Sequence, residues 1–123
     1  MYGFPEDLNL NPIIGRDLNL MGLGRSDVQL NFSGSGIKIC VQGPIEIIEI
    51  GEVIASWNEK GIWDSLNFQR VLNETVESFS IPRKDILEIK FSNGLILRLI
   101  DDSQQYEVAQ IYFDDDSYSS VIV

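Results

Sequence analysis

Histidine is absent from this chain of 123 residues, and cysteine occurs once. Without histidine, the commonest general base and zinc ligand is missing. Serine–histidine and cysteine–histidine nucleophile pairs cannot be built. The single Cys40 has no partner for an internal disulfide. Basic residues are scarce too: nine Lys and Arg stand against 19 Asp and Glu, a formal charge of −10. They are scattered, with no basic stripe and no interleaved aromatics, so a nucleic-acid-binding surface is not expected. No apolar run approaches the roughly 20 residues that span a bilayer. The opening "MYGFPEDLNLNP" has neither the basic nor the apolar stretch of a signal peptide. The expectation is one domain over 1–123, cytoplasmic and without membrane contact. The acidic surplus repels nucleic acid and anionic lipid at long range and attracts a basic protein; solubility alone is the other reading.

What is present is a hairpin written twice. "DVQLNFSGSGIKICVQG" (27–43) and "DILEIKFSNGLILRLIDD" (85–102) both run apolar alternation into Phe-Ser, through a glycine loop, and into alternation again. Side chains alternate faces along a strand, so loop length decides which residues meet. A three-residue loop at Ser92, Asn93 and Gly94 sets Ile89 against Leu97, Leu87 against Leu99 and Glu88 against Arg98. A two-residue loop would instead set charged residues against leucine and isoleucine, so the longer loop, closed by Gly94 at positive φ, is expected. With one more loop residue, the first copy pairs Phe32 with Ile37, Leu30 with Ile39 and Val28 with Val41. The echo extends outward: "IIGRDL" (13–18) matches "VLNETV" (71–76), and "PIEIIEI" (44–50) matches "QYEVAQI" (105–111), with Glu46 on Glu107. Two related four-strand units follow, over about 13–50 and 71–111. Two unrelated hairpins that share one alternation are the alternative.

The expected architecture is mainly β with one short helix (α+β), an antiparallel β-sandwich or half-open barrel. Strands are expected near 16–23, 26–33, 36–42, 45–50, 75–81, 86–92, 94–101 and 105–113, with a short last one at 120–123. The helix is placed at 65–73, capped by Asp64 or Ser65. Pro82 is expected to end its strand. The segment 51–64, "GEVIASWNEKGIWD", has no counterpart in the second unit; it reads as a linker that carries Trp57 and Trp63. These tryptophans either pack the linker onto the sheets or serve as exposed anchors for a partner.

Catalytic chemistry finds little support. Cys40 falls on the face opposite Leu30 and Ile39, with no base to activate it. Asp101, Asp102, Glu107 and Asp114, Asp115 and Asp116 are the carboxylates that paired acid–base work would use, but three adjacent aspartates after a strand also describe a solvated turn. "DDDSYSS" lacks the spaced oxygen ligands of a calcium loop. "GLG" (22–24) and "GSG" (34–36) do not open a helix after a strand, as a dinucleotide fingerprint requires. Neither an enzyme, a cofactor nor a metal site is expected.

The pattern "IIGRDL…LNFS…IKI…GPIEI…VLNETV…ILEIKFSNGLILRLIDDSQQYE" resembles a group of short β-rich bacterial proteins of the immunity type, found with polymorphic or contact-dependent growth-inhibition toxins. The resemblance covers about 13–111 and is sharpest at Phe91 to Gly94 and Tyr106-Glu107. It implies no catalytic residues. It implies a non-enzymatic protein that binds and neutralises a cognate toxin domain, such as a basic nuclease. The acidic tail departs from the pattern. Asp114, Asp115 and Asp116 are the first candidates to face that partner, then Trp57, Trp63, Asp101, Asp102 and Glu107. A small-molecule or peptide-binding module, or a structural subunit of a larger complex, are the competing readings. Nothing in the sequence sets an oligomeric state.

Overall fold

The computed structural model describes residues 3–58, 65–102, 108–113 and 120–123, with the backbone alone at 120 and 121. Two antiparallel sheets share one core, without closing into a barrel. Among the described residues the strands are β1 (Leu18–Leu23), β2 (Val28–Phe32), β3 (Ile37–Val41), β4 (Ile45–Glu49), β5 (Glu52–Trp57), β6 (Val76–Arg83), β7 (Ile86–Phe91), β8 (Ile96–Ile100), β9 (Ala109–Phe113) and β10 (Ser120–Ile122). The first sheet has the order β1-β2-β3-β9-β10, the second β5-β4-β8-β7-β6.

Both hairpins fold in the register that their loops dictate. Ile89 pairs with Leu97, Leu87 with Leu99 and Glu88 with Arg98. Leu30 pairs with Ile39 and Val28 with Val41. Gly94 takes φ +88° and donates its N–H to the Phe91 carbonyl at 2.9 Å, which closes the three-residue loop. Leu30, Ile39, Ile89 and Leu97 are fully buried, so the alternation becomes the two inner faces of the sandwich.

The repeat is deeper than two hairpins. Each half lays down a three-strand meander, β1-β2-β3 or β6-β7-β8, and sends its next two strands into the other half's sheet. β4 pairs with β8, and β9 pairs with β3. The halves meet at an antiparallel bridge between Asp17 and Thr75, residues 58 positions apart that occupy equivalent places. Around the bridge the hydrogen bonds come in matched pairs. Gly15 N–H to Val76 C=O (2.8 Å) mirrors Asn73 N–H to Leu18 C=O (2.8 Å), and Val76 N–H to Arg16 C=O (2.8 Å) mirrors Leu18 N–H to Glu74 C=O (3.2 Å). Gly15 (φ +82°) and Asn73 (φ +63°) share the left-handed conformation, which glycine and asparagine tolerate best. The same bulge opens β1 between Leu18 and Leu20 and β6 between Val76 and Ser78. A local twofold axis therefore passes through the Asp17–Thr75 bridge, where the Thr75 hydroxyl donates to Asp17 Oδ1 at 2.8 Å.

Several expectations need correction. The segment 51–64 is no mere linker: 52–57 is strand β5, the place that β10 takes in the other half, so the units have five strands each. Trp57 is 3% exposed and belongs to the core, which removes it as a surface anchor. The ladders align Ile47 with Ile111, since these residues pair with the equivalent Leu97 and Ile39. Glu46 therefore corresponds to Gln110 rather than to Glu107. The helix at 65–73 is a 3₁₀ turn, Leu66–Val71, capped by the Ser65 hydroxyl, which accepts from Asn67 N–H at 3.2 Å. A second turn, Asn11–Ile13, is its counterpart and was not anticipated. β6 runs through Pro82 to Arg83, because β6 lies at a sheet edge and the register shifts between Ser80 and Arg83.

The shared core makes equivalent truncations comparable. Leu30→Ala and Ile89→Ala should each cost on the order of 2–5 kcal/mol. The two values should match within about 1 kcal/mol, since both side chains are fully buried at corresponding places. Urea unfolding of the two variants measures this; a loss confined to one of them would break the equivalence of the halves.

Candidate protein-binding surface

The twofold relation sets each outward-facing residue of one sheet against a counterpart in the other. Across the outer face of the second sheet, one row runs Ser80, Glu88, Arg98, Glu46, Ser56. The Arg98 guanidinium lies between two carboxylates: Nε donates to Glu88 Oε2 at 2.8 Å and Nη1 to Glu46 Oε1 at 3.2 Å. The corresponding row of the first sheet runs Gly22, Gln29, Cys40, Gln110, Ile122. Each glutamate has become glutamine, and the arginine has become cysteine.

Charge is partitioned accordingly. Among the described residues, the strands of the first sheet hold one charged side chain, Lys38; those of the second hold Glu46, Glu49, Glu52, Glu77, Arg83, Glu88, Lys90 and Arg98. The neutral face exposes apolar groups instead, with Leu20 at 58%, Ile122 at 47% and Tyr112 at 43%. Charge depletion around aromatic and aliphatic groups is what the centre of a protein interface looks like. The charged side has further ion pairs: Arg83 with Asp85 at 3.1 Å, Lys90 with Glu77 at 3.6 Å, and Arg70 with Glu49. The hydrogen bond from Arg70 holds the Glu49 carboxyl below its usual value, and Glu49 in turn raises Arg70.

The predicted partner residues are distributed as follows. Asp101 follows the end of β8, where its Oδ2 accepts from Gly3 N–H at 2.5 Å and its own N–H donates to the Asp85 carbonyl at 2.9 Å. Asp102 beside it is exposed. These two aspartates and Asp85, which the sequence reading left out, stand together at one end of the second sheet. Asp114, Asp115, Asp116, Glu107 and Trp63 lie outside the described residues. By connectivity, the acidic run leaves β9 after Phe113 and returns at Ser120 of β10, both strands of the first sheet.

Cys40 Sγ lies 3.5 Å from Asp27 Oδ2, beside a cavity of about 20 Å³ lined by Cys40, Gln42, Ala109 and Gln110. That volume suits a single water molecule and no larger ligand. Among the described residues no three His, Cys, Asp or Glu side chains gather as metal ligands, and no helix is long and apolar enough to cross a membrane.

The two rows predict an asymmetry in mutational cost. Arg98→Ala leaves Glu46 and Glu88 facing each other without their shared cation, and should destabilise by about 1–3 kcal/mol. Converting the whole row to its neutral counterpart, Glu46→Gln with Glu88→Gln and Arg98→Cys, should stay within about 1 kcal/mol of the native chain. Denaturant unfolding checks the order of the two costs.

No protein-family model, curated protein or solved structure matches this chain, so the reading of its faces rests on their own chemistry.

Proposed function

We propose that this chain is a non-enzymatic inhibitor of the immunity type, which binds a basic toxin domain and covers its active cleft. The observation that carries the reading is uncompensated surface charge. If every Lys and Arg were paired one-to-one, ten carboxylates would still be left over, and no described carboxylate is buried. A nuclease cleft is cationic because its substrate is a polyanion, and a row of carboxylates competes for the same field. The contiguous Asp114, Asp115 and Asp116 supply the densest charge, and Asp85, Asp101 and Asp102 form a second patch. Steering of this kind speeds encounter and is screened over about 8–10 Å at physiological salt. The absence of histidine from the sequence agrees with a role that needs no proton transfer.

Gene context and co-expression test the reading directly. A toxin reading frame beside this gene, with rescue of growth by this chain, supports inhibition; a flanking metabolic operon and no rescue overturn it. The contribution of the run is tested separately with Asp114→Asn, Asp115→Asn and Asp116→Asn combined. This variant should unfold within about 0.5 kcal/mol of the native chain. It should associate with the toxin domain severalfold more slowly at low salt, and the two rates should converge as salt rises. Equal rates across the salt series would take the run out of the interface.

A further inference from the structure

The edge strand β1, "LNLMGL", is six residues without a charge in a chain where 28 of 123 residues are charged. An open strand edge offers unpaired N–H and C=O groups, and natural edges are guarded by charge, proline or cover. The other half of this protein shows what a guarded copy of the same edge looks like. β6 carries Glu77, Pro82 and Arg83, and the residue just past it, Lys84, accepts from Phe4 N–H at 2.7 Å. Where β6 has Ser78, β1 has Leu20, 58% exposed; farther along, Leu23 is 54% exposed. Among the described residues, no backbone group of 19–23 hydrogen-bonds outside β2. Both edges share the bulge near their start, but β6 alone has a second register shift, between Ser80 and Arg83, as well as the guarding side chains.

Gly22 is the second anomaly. Its φ is not in the left-handed region, and a Cβ built there would meet only ordinary contact, 3.6 Å from the Gln29 Cβ. The fold of the single chain does not require glycine, and a glycine inside a strand weakens it. The equivalent place in β6 is Ser80.

The geometry points to a second copy of this chain as the occupant of that edge, with β1 paired antiparallel to its twin about a twofold axis at Met21. This register sets Leu20 of each copy beside Gly22 of the other on the outer face, so the exposed side chain falls where the missing one leaves room. It also directs the exposed Arg25 of each copy toward Asp17 of the other. Two bodies of charge −10 repel, and the β1 edge, which carries no charge and lies at the end of its sheet opposite β9 and β10, is a place where they can meet. The product is one sheet of ten strands. This goes beyond the inhibitor reading and does not depend on it.

Sedimentation velocity of the full chain from about 1 to 500 μM tests the pairing, in the concentration range expected of a small interface. A dimer should form as concentration rises, and it should tighten about threefold or more between low and high salt, because salt screens the repulsion of the two bodies. Gly22→Val should leave a chain at least as heat-stable as the original, yet weaken the dimer about tenfold or more. Leu20→Ser, which installs the residue that β6 carries, should do the same and serves if the valine variant does not fold. Ser78→Lys on β6 should change nothing. A monomer at every concentration, a Gly22→Val chain that dimerises like the original, or a dimer broken by Ser78→Lys would each overturn the proposal.

Discussion

Neither half of this chain can complete a sheet from its own strands. β3 ends the first meander with an open edge, and the strand that pairs with it, β9, comes from the second half; β8 is completed by β4 in the same way. An unpaired buried edge would leave backbone N–H and C=O groups without partners, at a cost comparable to a lost hydrogen bond for each. The exchange removes that cost on both sides at once. It also explains why one core serves both halves, and why the Asp17–Thr75 bridge can sit on an axis of local symmetry. The fold is a consequence of two meanders that each need the other's arm.

Equivalent backbones allow the effect of side chains to be read apart from the fold. Glu88, Arg98 and Glu46 occupy the same ladder positions as Gln29, Cys40 and Gln110. The charge of one face and the neutrality of the other are therefore not imposed by the architecture. The division gives the molecule a far field and a near field. The charged side chains on the described strands of the second sheet act at long range, over about 8–10 Å at physiological salt. The described strands of the first sheet carry one charge, Lys38, so their exposed apolar groups act at contact range, where burial carries little charge-desolvation cost.

The legible parts of the sequence were those governed by short-range periodicity. The two hairpins could be registered to the residue, because alternation has a period of two and loop length then leaves one consistent pairing. β5 was missed for a related reason: the register shift between Ile47 and Ile48 interrupts its alternation with β4, so 51–57 did not look like a partner strand. A signal for the longer unit was present, since "GFPEDLNL" (3–10) and "GIWDSLNF" (61–68) echo at the same 58-residue spacing as the bridge. Matching Glu46 to Glu107 placed weight on one identical residue, whereas the ladders equate positions by their inward partners. Trp57 illustrates the limit of composition: an aromatic in a Gly-flanked segment reads as linker until the strand that buries it is known. The partition of charge was not legible at all, since it exists only once strands of the two halves are placed side by side.

Native-state hydrogen exchange against denaturant tests the interlocked sandwich most directly. If each sheet is completed by the other half, the core amides of β3, β9, β4 and β8 can open only together. Their exchange free energies should converge on one global value with one denaturant slope. Two separate plateaus, with β1-β2-β3 opening at a lower free energy and smaller slope than β6-β7-β8, would show halves that stand alone and would contradict the account.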